Sequence, residues 1–190
     1  MATRETDGYH HGDLRATVLR RAAEQVASEG VDGISLRVLA RLAGVSHAAP
    51  AHHFGDRRGL FTALAAEGYT LLGDELGAAG PDLRDAAVAY VRFALAHPGH
   101  FAVMFRSDLV RADDPDLLAA RGRAGAVLSG GVGALGDVED PATVQLAAWS
   151  IVHGFASLWR EGAFERSDLL DGAADPEVLA RRVVDRLTFT

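Results

Sequence analysis

Apolar residues recur along this chain at spacings of three and four, and the period-two alternation of a half-buried strand is absent. The pattern predicts an all-α protein of about nine helices. The first should run from about Gly12 to Ser28, with Leu14, Val18, Ala22 and Val26 on its inner stripe and Glu29 and Gly30 at its end. Ser35 is a suitable N-cap for a short second helix that turns Leu36, Leu39 and Ala40 inward. Gly44 stops it, and Ser46 is placed to cap a third short helix reaching His53. A fourth, from near Arg57 to about Leu76, buries Leu60, Phe61, Leu64, Leu71 and Leu72.

Proline punctuates the remainder. Pro81 suits the first position of a fifth helix that ends near His97, and Pro98 opens a short sixth through Phe101 and Met104. A charged loop follows from Arg106 to Pro115, then a glycine-rich helical stretch over 116–135. Pro141 opens a long helix to about Arg160, and Pro176 a last one with Leu179, Val183 and Leu187 on one face. Residues 141–159 carry no formal charge. Their length alone admits a membrane span, but Pro141, Gln145, Ser150, His153 and Ser157 favour a helix buried on nearly every side. A chain of this size needs such a helix chiefly where two copies meet, and Gly154 permits close approach. The expectation is a homodimer joined by a four-helix interface from the helices near 141–160 and 176–188.

The 190 residues suffice for a small module fused to a larger one, and 48% are hydrophobic, which excludes wholesale disorder. There is no cysteine, hence no disulfide framework, thiolate metal site or cysteine nucleophile. The polar first dozen residues lack the pattern of a signal peptide, and a soluble cytoplasmic protein is expected. The net charge of −7 disfavours indiscriminate DNA coating. It is uneven, however. Residues 1–60 hold eight arginines and seven acids, for +1, whereas residues 61–190 hold eleven and nineteen, for −8. A nearly neutral reading head on an acidic body remains compatible with nucleic acid.

The head is the informative part. Two short helices over 35–53, separated by a tight turn at Gly44 and Val45, have the spacing of a helix-turn-helix. The second offers Ser46, His47, His52 and His53 for phosphates or base edges. Arg57 follows at a helix start, where a cation and free amides can both face a phosphate. Spacing alone serves DNA reading and plain packing equally.

Residues 9–64 resemble the N-terminal domain of the tetracycline-repressor (TetR) family. The resemblance rests on the run from Tyr9 to Arg15, Ser35 to Ala40, the turn Ala43, Gly44, Val45, Ser46, then His53 and Phe54, with Arg57 and Leu60 where the family has lysine and leucine. It implies DNA contacts from Ser35, Arg37, Ser46, His47, Ala48, Ala49, His52, His53 and Arg57 to double-stranded operator DNA. Ala51 stands where the family commonly has tyrosine, and Pro50 lies in the first turn of the reading helix. Trp149, His153, Gly154 and Trp159, with the segment His97 to Phe105, are similar to the tryptophan-histidine-glycine subgroup of TetR C-terminal domains.

The implied division is a DNA-binding domain over 1–56 and a helical effector-binding and dimerisation domain over 57–190. Given the family, Phe93, His97, Phe101, Met104, Phe105, Trp149 and His153 are candidate linings of a pocket for an unknown small-molecule effector. An aromatic stripe at helical spacing serves equally as core.

Other chemistry is weakly signalled. Gly131, Gly133 and Gly136 match a dinucleotide-binding pattern, but acidic, helix-breaking residues follow where a helix start is required. His97 and His100 share a face without a completing carboxylate, so no metal and no cofactor are expected. Asp113, Asp114, Asp137, Glu139 and Asp140 read as solvated loop charge. The reading is therefore a transcriptional repressor that is not an enzyme. The alternative is an enzyme that uses His97 or His153 as acid or base in an apolar cavity.

Overall fold

The computed structural model describes residues 11–166 and 174–186, and these contain nine helices and no strand. Expectations placed on Tyr9, His10 and Leu187 lie outside the described residues. A small bundle comes first: α1 (His11–Glu29), α2 (Leu36–Leu42) and α3 (Ala48–Phe54). α1 turns Val18, Leu19, Ala22 and Val26 inward, and Ile34, Leu39 and Phe54 close the bundle over them.

α4 (Arg57–Ala79) is continuous from this bundle into the body and runs one turn past the expected end near Leu76. Its first half buries Leu60, Phe61 and Leu64, and its second half buries Tyr69, Leu72 and Leu76. On it pack α5 (Leu83–Ala96), α6 (Pro98–Met104) and α7 (Pro115–Gly133); α8 (Pro141–Arg160) packs on α5 and α7, and α9 (Pro176–Val184) on α5. No helix among the described residues is long and apolar enough to cross a membrane.

Carboxylate caps explain most helix starts in the body. Asp56, Asp82, Asp114, Asp140 and Asp175 each accept an amide of the first turn of the helix that follows. Asp82 displaces Pro81 from the expected start of α5, because its side chain takes the Arg84 N–H at 2.7 Å. Asp114 and Asp140 thus have a structural task that a reading as loop charge missed. α9 is clasped to α5 by ions: Arg92 grips Glu177 with two bonds, and Arg181 pairs with Asp85.

α8 is not buried all round in the protomer. Val152, Phe155 and Ala156 face the core, while Leu146 (58%), Trp149 (39%) and Leu158 (45%) are exposed.

The bundle and the body meet where α1 crosses α6. At Gly99 an added Cβ would stand 2.0 Å from the Ala23 carbonyl oxygen and 2.8 Å from its carbon. Both obstacles are backbone, so no side chain can swing aside. Gly99→Ala should therefore separate α1 from α6 and destabilise the protein by about 2 kcal/mol or more. A melting temperature equal to that of the wild type would contradict this close approach.

Candidate nucleic-acid interface and cavity

Ser35 caps α2 as expected, its hydroxyl accepting the Val38 N–H at 3.2 Å. The helix ends in two reciprocal bonds, Val45 N–H to the Ala40 carbonyl (3.0 Å) and Gly44 N–H to the Arg41 carbonyl (3.2 Å). This six-to-one and five-to-two closure needs a left-handed residue between them, and Gly44 supplies it at φ +67°. The turn thus fixes the angle between α2 and α3.

Ser46 does not cap α3. His47 holds the N-cap position with a helical backbone and no side-chain bond. The Ser46 carbonyl, rather than its hydroxyl, receives the Ala49 N–H at 3.1 Å. Pro50 occupies the first turn, where its missing donor costs little, and packs inward with Phe54.

α3 consequently divides cleanly. Pro50 and Phe54 are buried, while Ser46, His47, Ala48, Ala51 and His52 are exposed; Ala49 and His53 lie between. Arg37 and Arg41 on α2 are exposed too. Arg57 is exposed but engaged: its guanidinium donates to the Val31 carbonyl at 2.6 Å and lies 4.9 Å over the Phe61 ring. It pins the loop before α2 to the start of α4.

The body holds a cavity of about 520 Å³ between α4, α5, α7 and α8, lined also by the segment after α6 and by Val184 of α9. Of the seven residues proposed from sequence, Met104, Phe105 and Trp149 line it. The other four pack beside it. Phe93 is fully buried in the core with His97 against its ring (5.2 Å between centroids). Phe101 stacks on His153 at 5.2 Å, behind Phe105. The stripe 93–105 follows a helical period, but Phe93 packs on His97 and Phe101 on Tyr90 and His153 rather than on the cavity.

Sequence reasoning missed Tyr69, Leu72, Tyr90, Arg121 and Gln145, which the cavity wall includes. Tyr69 and Tyr90 carried the usable signal, since a buried tyrosine must place its hydroxyl on a partner. Here Tyr69 donates to the Met104 carbonyl (3.1 Å), and the Tyr90 hydroxyl lies 2.9 Å from His153 Nδ1. Burial pushes both phenols up; for Tyr69 the Arg121 charge acts in the opposite direction. Burial also holds His153 below the usual imidazole value, so its ring is neutral at pH 7 and can accept from Tyr90. His97 is lowered by burial and by the nearby His100. His100 Nε2 sits 2.9 Å from Glu67, and no group of three or more metal-ligating side chains converges among the described residues.

The segment after α6 touches both parts of the molecule. Ser107, Val110 and Ala112 face the cavity. Arg58 Nε donates to the Val110 carbonyl (2.9 Å), Arg111 N–H to Thr62 Oγ1 (2.9 Å), and the Arg111 guanidinium to the Asp56 carboxylate (2.8 Å). Asp56 is itself the cap of α4, two residues after α3 ends.

Comparisons with known proteins agree with this division of labour. The family described as "Bacterial regulatory proteins, tetR family" matches residues 18–64, and that described as "Tetracyclin repressor-like, C-terminal domain" matches residues 83–187. Among solved structures, a protein with unknown function from Rhodococcus sp. RHA1 is 36% identical, over 95% of this chain and 96% of that one, with a TM-score of 0.76. A bacterial regulatory protein in the tetR family from Rhodococcus RHA1 is 21% identical over 90% and 93%, with a TM-score of 0.66. PfmR, a TetR family transcriptional regulator from Thermus thermophilus, is 20% identical over 88% and 91%, also with a TM-score of 0.66. The latter two share the fold. No curated protein matches the chain.

The lowered histidines set a direction for pH dependence. As pH falls, the unfolded chain takes up protons first, near about pH 6.5, so stability from the neutral rings is present above that value and lost below it. Melting temperature should rise between about pH 5.5 and about pH 7.5, and the double variant His97→Gln, His153→Gln should flatten that slope. An unchanged slope in the variant would assign the effect to other groups.

Proposed function

The chain belongs to the TetR family of bacterial DNA-binding transcriptional regulators, and we propose that it is a homodimeric repressor whose grip on a palindromic operator is set by a small-molecule effector. The observation that carries the DNA-reading half is the outward face of α3. His47, Ala48, Ala51 and His52 share one side of a helix held by a rigid turn, and Arg37 and His47 take part in no hydrogen bond or ion pair among the described residues. Side chains without a structural task on such a helix suit a major groove.

The contact set is Ser35, Arg37, Ser46, His47, Ala48, Ala49, His52, His53 and Arg57. Ser35 retains its hydroxyl proton for a phosphate while capping. Arg57 contributes as a brace for the loop before α2 as well as a cation. Ala51 is small and exposed, and the exposed His52 beside it offers the longer polar side chain. The working units are a DNA-binding domain over 1–56 and an effector-binding and dimerisation domain over 57–190.

Two further features support the rest of the reading. The exposed apolar side chains of α8, with Val178 of α9 (58% exposed), form the face offered to a second copy, through helices near 141–160 and 176–188. The cavity accounts for effector control. Part of its wall, the segment 105–112, is bonded to the start of α4, so an occupant that shifts this wall shifts α4 and the reading helix behind it. The pose with an occupant would then hold the two heads at a different spacing, and a few kcal/mol of differential affinity suffices. Trp149, His153 and Gly154 support assigning the body to the tryptophan-histidine-glycine subgroup. The competing reading, an enzyme acting through His97 or His153, is disfavoured because neither ring lines the cavity.

Binding to the DNA upstream of the chain's own gene tests the head. Arg37→Ala should weaken all sequences alike and lower the salt slope by about one. His47→Ala should instead change sequence preference, by about 1–3 kcal/mol at one base pair. If neither moves DNA affinity, α3 is not the reading helix. For the body, Leu146→Glu with Leu158→Glu should convert the dimer to monomers in sedimentation and abolish tight operator binding; a dimer that survives places the interface elsewhere.

A further inference from the structure

The polar groups that line the cavity are those of Tyr69, Tyr90, Ser107, Arg121, Gln145 and Trp149. No aspartate or glutamate lines it, and its one formally charged lining residue is Arg121 of α7. Elsewhere in the body Arg84, Arg92, Arg106, Arg111 and Arg181 are each tied to an acid in an ion pair. Arg121 pairs with no carboxylate among the described residues and lies 5.3 Å over the Tyr69 ring, at the edge of the cavity.

The neutral polar groups point the same way. The Tyr69 hydroxyl donates to the Met104 carbonyl and the Tyr90 hydroxyl is bonded to His153 Nδ1, so both are already engaged within the protein. Gln145 takes the Ser129 hydroxyl on its carbonyl oxygen at 3.0 Å, leaving its amide N–H groups uncommitted. What faces the cavity is therefore the Arg121 guanidinium, the Gln145 amide, the Ser107 hydroxyl and the Trp149 indole N–H, donors without an acid, set in apolar walls. An apolar cavity with donors, a cation and no acid complements a guest that brings an acceptor of negative charge.

We propose that the effector is an apolar monocarboxylate, its hydrocarbon body filling the space between α4, α5 and α8 and its carboxylate paired with Arg121, assisted by the amide of Gln145. This rests on reading the cavity as the effector site. Arg121 is exposed at the rim, which lets the head group keep part of its hydration while the body is buried. Guests of equal size ending in an ammonium meet the one cation unfavourably and find no acid to answer them.

Decanoate, 1-decanol and decylamine share one apolar body and differ in the head, so calorimetric titration of the three into the full-length protein at neutral pH tests the assignment. Decanoate should bind at least about fivefold more tightly than decanol, and decylamine more weakly than both. Arg121→Gln should erase the preference for decanoate over decanol, with the helical fold retained by circular dichroism. Equal affinities for the acid and the alcohol, or tightest binding of the amine, would overturn the carboxylate assignment and leave the cavity as an effector site. A preference that persists in Arg121→Gln would overturn the role of that residue. Failure of all three to bind would remove the effector reading of the cavity, and this proposal with it.

Discussion

One helix has to satisfy two cores. The first half of α4 seals the N-terminal bundle through Leu60, Phe61 and Leu64, and its second half forms a wall of the cavity through Tyr69, Leu72 and Leu76. Helices are stiff against bending over such lengths unless proline, an inserted side chain or a bulge intervenes, and α4 contains no proline. Whatever moves the second half therefore moves the first. The remaining contacts between head and body, α1 against α6 and the segment after α6 against the start of α4, constrain the same beam from outside.

The start of α4 gathers these constraints at one point. Asp56 caps the helix, receives the Arg111 guanidinium, and stands directly after the turn that ends α3. Its carboxyl is held below the usual carboxylate range by the Gly59 amide first and by Arg111 in addition. Because the group is exposed, each bond taken alone is modest. Their value lies in register, since the same few residues connect a cavity wall to a reading helix without any long loop between them.

Much of this was legible in the sequence because it follows local rules. The spacing of apolar residues in α1, the serine before α2 and the glycine in the turn each act within one or two turns of helix, and the structure reproduces them. The failures share a cause. Ser46 was read as a cap although the backbone of His47 is already helical, and Pro81 as a start although Asp82 supplies a better one. The stripe from Phe93 to Phe105, open in the sequence between lining and core, divides between the two: Met104 and Phe105 reach the cavity, and Phe93, His97 and Phe101 do not, because periodicity identifies a buried face without saying what lies opposite. Arg121 and Gln145 escaped for the complementary reason: they sit on helices that the sequence did not connect, and only the packing of α7 on α4 and of α8 on α5 and α7 brings them to one space.

Trp149 belongs to two surfaces. Its indole walls the cavity, close to Phe105 and His153, yet more than a third of the residue remains exposed on the outer side of α8. With the proposed guest and the proposed dimer face both in place, a guest that turned this ring would alter the shape offered to a second protomer, and a protomer seated there would stiffen the wall that the guest must meet. Occupancy and association are then thermodynamically reciprocal through one side chain. The amount of protein in the cell would then become a second variable of the proposed response, since dilution toward monomers would change how sensitively the same guest is sensed.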